Sequence, residues 1–346
     1  MTNKIQQLVE TAHALVAPGK GILAMDESNP TCGKRLASVD VENSEDNRRA
    51  YRELLLTAPG LGDYISGAIL YDETLRQSAS DGTAFPELAR ERGIIPGIKV
   101  DTGAKDLAGH PGEKVTEGLD GLRERLAEYS DLGARFAKWR AVITIGDGIP
   151  SRACLEANAH ALARYAALCQ EAGLVPIVEP EVLLDGDHSI ERCFEITRET
   201  QNRVFSQLYR QGVELPGIVL KPSMVLPGKD HSKQTTPERV AEETLRCLRN
   251  TVPAAVPGVA FLSGGQSDLE ATEHLNLMNK QAKKMQLPWR VTFSYARALQ
   301  HVALTTWRGD KAKLDDAQQA LLHRAKCNSA ASRGEYNDRL EHELAA

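Results

Sequence analysis

Lys221 stands at the end of a short apolar run, Gly217-Ile218-Val219-Leu220, and Pro222 follows it at once. A buried strand that delivers a lysine just where it stops is one way to build an amine nucleophile. Dry surroundings disfavour the ammonium form and lower the pKa from its ordinary ~10.4 toward neutrality. Other apolar runs in the chain deliver charge in the same manner. Gly21-Ile22-Leu23-Ala24-Met25 ends in Asp26, and Ile94–Ile98 leads to Lys99, with Asp101 two positions on. Phe136-Ala137 precedes Lys138-Trp139-Arg140, and Pro176-Ile177-Val178 precedes Glu179-Pro180-Glu181. At strand period 2, Lys138 shares a face with Arg140, and Glu179 with Glu181.

Singly, each of these residues could be a solvated strand end, a turn residue or a helix cap. Jointly they describe one electrostatically coupled cluster, because charges at the ends of buried strands must be paired or hydrogen-bonded. An amine nucleophile beside other cations attacks ketones and forms an imine, and a protonated imine is an electron sink for the carbanion left when a C–C bond breaks. Carboxylates at hand supply the proton transfers for carbinolamine dehydration and hydroxyl deprotonation.

Handles for phosphate accompany the cluster. Leu262-Ser263-Gly264-Gly265-Gln266-Ser267 follows an apolar run and opens a helical stretch. Two glycines let backbone N–H groups approach an anion, and a helix N-terminus favours negative charge. Phe293-Ser294-Tyr295-Ala296-Arg297 brings an arginine nearby, and Arg35, beyond the first run, is placed to clamp a second phosphate.

These residues need a frame that gathers strand ends. Eight strand candidates occur, near Gly21–Met25, Ser66–Tyr71, Ile94–Val100, Phe136–Ile145, Val175–Val182, Gly217–Leu220, Gly258–Leu262 and Val291–Phe293. Helical stretches separate them, at Asp46–Thr57, Gly118–Leu132, Arg152–Ala172, Ile190–Gln211, Pro237–Asn250 and Ser267–Lys284. Ser151, Asp187 or Ser189, and Thr236 serve as caps. Such alternation predicts parallel strands with helical crossovers. An open doubly wound sheet would want a G-x-G-x-x-G after its first strand, and none follows any of these runs. The expectation is a closed α/β (β/α)8 TIM barrel, whose βα loops build a site at the C-terminal strand ends. An amphipathic N-terminal helix (Ile5–Val16) precedes the first strand. A charged helical tail from Leu314 onward is expected outside the barrel.

The bulk numbers agree with one domain over residues 1–346, its C-terminal tail beginning near 328. No linker divides the 346 residues, and 42 % hydrophobic with 26 % charged residues is a globular balance. A net charge of −5 without basic runs argues against nucleic-acid partners. No apolar stretch approaches the ~20 residues of a membrane span, and no signal or transit peptide is legible at the start. Six cysteines without CxxC spacing read as reduced thiols of a cytoplasmic protein. No paired-histidine motif occurs, and Asp185-Gly186-Asp187-His188 reads as a turn and cap, so no metal and no cofactor is expected.

Taken in order, Gly19–Ser28 (GKGILAMDES), Gly97–Asp101 (GIKVD), Phe136–Arg140 (FAKWR), Val175–Glu181 (VPIVEPE), Leu220–Pro222 (LKP), Phe261–Ser267 (FLSGGQS) and Thr292–Tyr295 (TFSY) with Arg297 resemble the class I fructose-bisphosphate aldolases, over about Gly19 to Tyr336. The resemblance implies a metal-independent barrel, a homotetramer, that cleaves fructose 1,6-bisphosphate to two triose phosphates. It implies Lys221 as the Schiff-base lysine and Glu179 as the principal acid/base group. Asp26 and Lys138 would assist C–C cleavage, and Glu181 would support the charge network. Lys99 and Arg140 would line the substrate site. Ser263, Gly264, Gly265 and Arg297 would hold one phosphate, with Arg35 and Ser28 near the other.

Three departures from the family pattern stand out. Ser223 replaces the usual Asn after Lys-Pro, Ala296 replaces the usual Gly after Ser-Tyr, and the sequence ends Glu343-Leu344-Ala345-Ala346 without a terminal tyrosine. The first bears on a hydrogen bond near the nucleophile and the second on the phosphate loop. The third leaves proton exchange on the enamine to another group or to water. Two other readings stay open: a metal-dependent aldolase, and a non-catalytic barrel that binds sugar phosphates or a protein.

Overall fold

The structure, a computed structural model, describes residues 3–233 and 235–343. Its frame is a closed eight-stranded parallel barrel. The strands are β1 (Gly21–Ala24), β2 (Ile65–Leu70), β3 (Ile95–Lys99), β4 (Phe136–Ile143), β5 (Val175–Val182), β6 (Val219–Leu220), β7 (Gly258–Phe261) and β8 (Arg290–Tyr295). Each pairs with its sequence neighbours, and β1 closes the ring against β8 through Ile22↔Ser294 and Leu23↔Tyr295. This is the (β/α)8 barrel that the strand–helix alternation predicts.

The lumen is layered. At its lower end Ile22, Ile69, Phe136, Val175, Ile177, Val219 and Ala260 form an apolar core, and helix Asn3–Leu15 plugs it from below with Leu8, Ala12 and Leu15. Gly97 of β3 leaves room for the Phe136 ring, where a Cβ would collide with it. Stepping upward by two residues turns the inward face of four of these strands into charge. Phe136 leads to Lys138 and Arg140, Ile177 to Glu179 and Glu181, Val219 to Lys221, and Ala24 to Asp26. The period of two that sorts side chains between lumen and outer layer thus also sets a charged ring on a dry floor.

The alternate residues face outward. Leu23, Met25, Trp139, Val178 and Leu220 join the larger core between strands and helices. The expected caps are present: Ser151 accepts from Cys154 N–H, Ser189 from Arg192 N–H and Thr236 from Arg239 N–H. At the 187/189 pair it is Ser189 that caps.

Three segments depart from the sequence expectations. Strand β6 is only two residues long, because Leu215–Gly217 forms a 3-10 turn around Pro216. Helix Leu122–Asp131 starts later than Gly118, since Gly118 and Gly121 sit at φ +128° and +63°, and an unexpected antiparallel hairpin (Gly103–Asp106 with Lys114–Glu117) precedes it. Buried Asn158 holds that hairpin, accepting from Thr116 N–H and donating to the Lys114 carbonyl.

The third is the C-terminal stretch. The expected helix stands outside the barrel, Leu314–Ser332 in the outer helical layer with Ala317, Leu321, Ala325 and Ala331 fully buried, but no tail begins near 328. Residue 328 falls inside this helix. The Asn328 amide oxygen accepts from Thr272 and Ser329 donates to the Gly19 carbonyl. Of the chain end, Leu344, Ala345 and Ala346 lie outside the described residues.

Candidate active site

The expected catalytic and phosphate-binding residues all line one cavity of about 400 Å³ at the C-terminal ends of the strands, with Asp101 just outside its lining. Lys221 follows β6 directly, and its backbone N–H donates to the Val178 carbonyl at 2.8 Å, which holds it in the barrel wall. Its Nζ lies 3.2 Å from Glu179 Oε1. Lys138 Nζ lies 3.4 Å from Glu179 Oε2 and 2.7 Å from Asp26 Oδ2. All four side chains are buried.

Lysine and carboxylate therefore alternate, Asp26–Lys138–Glu179–Lys221, within a low-dielectric wall. Burial alone would push both carboxyls up. The Lys138 and Lys221 ammoniums outweigh it and hold Asp26 and Glu179 below the usual carboxylate range. Burial likewise opposes the Lys138 charge, but Asp26 and Glu179 raise its proton affinity above that of an ordinary lysine. Lys138 is thus a fixed cation and Asp26 a fixed anion at neutral pH.

Toward the mouth, Arg140 Nε pairs with Glu181, and the Arg140 backbone N–H donates to Asp101 Oδ2 at 3.2 Å. Lys99 sits at the end of β3, 3.7 Å from Asp101 Oδ1 and 5.9 Å from the centroid of the Tyr71 ring. Asp101 thus meets Lys99 by charge and Arg140 through its backbone N–H.

The Ser263–Gly265 turn follows β7, and its glycines have a steric reason. A Cβ on Gly264 would stand 2.9 Å from Leu262 and 3.0 Å from Glu181. Gly265 has φ +81°, and a Cβ there would stand 2.9 Å from Leu184. Ser267 then caps helix Asp268–Met285 through a reciprocal box with Glu270. Arg297 opens the helix after β8 and donates to the Gln266 carbonyl at 2.5 Å, which ties the two loops together.

On the other side of the cavity Arg35 pairs with Glu27, and Ser28 exchanges a hydrogen bond with Thr31 at 3.1 Å. Two departures from the family pattern have visible surroundings here. The Ser223 hydroxyl donates to the Val182 carbonyl at 2.8 Å, a backbone tie to the end of β5. Ala296, at negative φ (−102°), lines the cavity.

Sequence reasoning missed the support beneath Arg35. Arg52, fully buried on helix Glu45–Thr57, donates to the Met25 carbonyl at 3.3 Å and the Glu27 carbonyl at 2.7 Å. Its guanidinium also lies 3.5 Å from Glu27 Oε2. Gln300 donates to the Ala24 carbonyl at 2.5 Å and accepts from the Tyr51 hydroxyl at 2.9 Å. The signal was present in the helix, where Arg48 and Arg52 fall on the face that buries Tyr51 and Leu55.

A closed (β/α)8 barrel with three lysines and four carboxylates converging at its catalytic end has the layout of a barrel enzyme. Comparison with known proteins narrows the class. The family model described as fructose-bisphosphate aldolase class-I matches residues 7–346. The chain is 60 % identical over 333 residues to a probable class 1 fructose-bisphosphate aldolase of Xanthomonas campestris pv. campestris, covering 96 % of this chain and 99 % of that one. It is 55 % identical to the chloroplastic fructose-bisphosphate aldolase 3 of Arabidopsis thaliana, covering 97 % of this chain and 85 % of the other. A solved structure of the Plasmodium falciparum aldolase, in complex with TRAP and a small-molecule inhibitor, superposes with a TM-score of 0.95 at 48 % identity over 97 % of each chain. The chain belongs to the class-I fructose-bisphosphate aldolase family and is a lyase.

Proposed function

We propose that the protein cleaves fructose 1,6-bisphosphate reversibly to dihydroxyacetone phosphate and glyceraldehyde 3-phosphate through an imine on Lys221, a step of glycolysis and gluconeogenesis. The 3.2 Å contact between Lys221 Nζ and Glu179 Oε1 carries the reading. It puts the amine and a proton acceptor within reach in a buried wall.

The neutral Lys221 amine adds to the C2 carbonyl of the open-chain sugar. Glu179 takes the amine proton and returns it to the leaving hydroxyl, so that water departs and the protonated imine remains. Asp26, anionic under the Lys138 charge, accepts the C4 hydroxyl proton. The C3–C4 electrons then move into the iminium, which leaves an enamine on Lys221 and frees the aldehyde product. Protonation of the enamine at C3 and hydrolysis of the imine release the ketone. Lys138 holds Asp26 and Glu179 in place, and Arg140 with Glu181 frames the passage toward the mouth. The Ser263–Gly265 turn with Arg297 suits one phosphate by its backbone donors and positive charge, and Arg35 with Ser28 suits the other.

Borohydride reduction in the presence of dihydroxyacetone phosphate tests the imine. Label is expected on the peptide containing Lys221, and none on Lys221→Met. An untrapped wild type, or a trapped Lys221→Met, overturns the mechanism. Cleavage that survives EDTA separates it from a metal-dependent reaction. A homotetramer and a cytoplasmic setting belong to the same proposal; six buried free cysteines support the latter, and sedimentation velocity measures the former. Among the described residues no helix is long and apolar enough to cross a membrane.

A further inference from the structure

Away from the catalytic cavity, a second group of side chains collects the donor types that bind transition metals. His323 and Cys327 lie four positions apart on helix Leu314–Ser332, which puts them on one face. Glu341, from the short helix Asp338–His342, closes over them, and ligand atoms of the three lie within 4.8 Å of one another. His323 Nε2 and Cys327 Sγ are 3.7 Å apart. A tetrahedral zinc ion, with Zn–S near 2.3 Å and Zn–N near 2.0–2.1 Å, holds such a pair about 3.6 Å apart. Nitrogen and sulfur therefore already stand at the spacing the ion needs. Glu341 reaches its place by closing in about 1 Å.

The surroundings fit a ligating carboxylate. The Arg324 guanidinium pairs with Glu341 Oε1, and the Tyr336 hydroxyl donates to Oε2 at 2.7 Å. Outer partners of this kind orient ligands in metal sites. The Cys327 thiol meets His323 at 3.7 Å, the Leu340 carbonyl at 3.8 Å and the Glu341 carboxylate. His323 lines a surface cleft of about 430 Å³ with Tyr64, Lys326 and Glu343, which gives an ion an entry and a water a place at the fourth position. The cleft is walled by residues 59–64, which lead into β2 at Ile65. It therefore sits at the N-terminal end of the strands, opposite the catalytic end.

We propose that His323, Cys327 and Glu341 form a site for a divalent, borderline-soft transition metal, with Zn²⁺ the best match, that clamps helix Asp338–His342 onto helix Leu314–Ser332. Mixed sulfur, nitrogen and oxygen donors select this class over Mg²⁺ and Ca²⁺, which take oxygen ligands. On binding, the Cys327 thiol gives its proton to water and a sulfur–metal bond forms. The imidazole donates a lone pair, and thiolate and carboxylate together cancel the dication's charge. No electron is transferred.

Chelator-stripped full-length protein titrated with Co²⁺, then with Zn²⁺, tests the assignment. A thiolate-to-cobalt charge-transfer band is expected at one equivalent, displaced by Zn²⁺, with a rise in Tm as Zn²⁺ is added. His323→Ala, at a partly exposed position, should weaken Zn²⁺ binding at least ~10-fold. It should leave kcat and KM for the bisphosphate at wild-type values. Cys327→Ser should abolish the band, and if that buried substitution fails to fold, His323→Ala decides alone. A wild type without the band overturns the site, as does a His323→Ala variant with unchanged band and Zn²⁺ affinity.

Discussion

Lys221 Nζ lies 3.2 Å from one oxygen of Glu179, while the other oxygen of the same carboxylate lies 3.4 Å from Lys138 Nζ. One buried carboxylate thus answers two buried ammoniums, and Asp26 answers Lys138 a second time from 2.7 Å. The four formal charges cancel. With Lys221 neutral, as the proposed mechanism requires, the wall would hold one surplus negative charge to meet the protonated imine of that mechanism.

Glu179→Gln keeps the shape and removes the charge that both lysines share. The expected loss is ~10²–10⁴ in kcat, from the missing proton transfer. Stability should fall by about 3–5 kcal/mol, because two buried ammoniums then face Asp26 alone. Initial rates and urea unfolding measure the two effects. A variant with wild-type kcat would remove Glu179 from the mechanism.

Acid should weaken the fold through the same carboxylates. Asp26 and Glu179 titrate below the ordinary range when folded, so the unfolded chain takes up these protons first as pH falls. Their contribution is complete above about pH 5 and fades as pH drops through the folded-state values. In Asp26→Asn, the dependence of the urea midpoint on pH below about 5 should become shallower. A slope identical to wild type would show that the pair does not stabilise the fold.

His274 predicts a separate window. It is buried beside the turn after β7 with Nδ1 2.7 Å from Gln266 Oε1, and burial pushes its pKa down to about 4. The unfolded state therefore binds a proton near pH 6.5 that the folded state refuses. The His274 contribution to stability should decline as pH falls from about 6.5 to about 4, by on the order of 3 kcal/mol, and be constant below. His274→Gln should remove this step from a stability-versus-pH series. Since Gln266 also accepts from Arg297, KM should rise across the same window.

Arg35→Ala tests the second phosphate clamp. Arg35 reaches the cavity from helix Asn29–Ala37 and is held by Glu27. Losing a charge-assisted contact of about 1.5–3 kcal/mol should raise KM for fructose 1,6-bisphosphate roughly 10–150-fold. With fructose 1-phosphate, which lacks that phosphate, KM should barely move. Equal effects on both sugars would place Arg35 elsewhere in the reaction.

The strand ends were legible in advance because a barrel strand carries two signals at once. Ile177 and Glu179, or Phe136 and Lys138, differ by two positions, so apolar floor and charged ring are written on the same face of the same short segment. The hairpin at 103–117 was not legible. Its residues alternate weakly and are mostly exposed, and what holds it is Asn158, more than forty positions away. Helix Leu314–Ser332 stands outside the barrel as expected, but its packing was not legible for a related reason. Its buried alanines and the Asn328 amide oxygen find partners on helices from other parts of the chain.

Residue type and order by themselves determined the barrel, the lysine at the end of β6 and the set of charged strand ends, because those depend on local periodicity. Which charge faces which was decided only by the closed ring. The register that sets Arg140 opposite Glu179, the fold-back of Arg52 under Glu27 and the meeting of His323 with Glu341 all join residues far apart in sequence. Their distances follow from strand stagger and helix packing, and no local pattern encodes those.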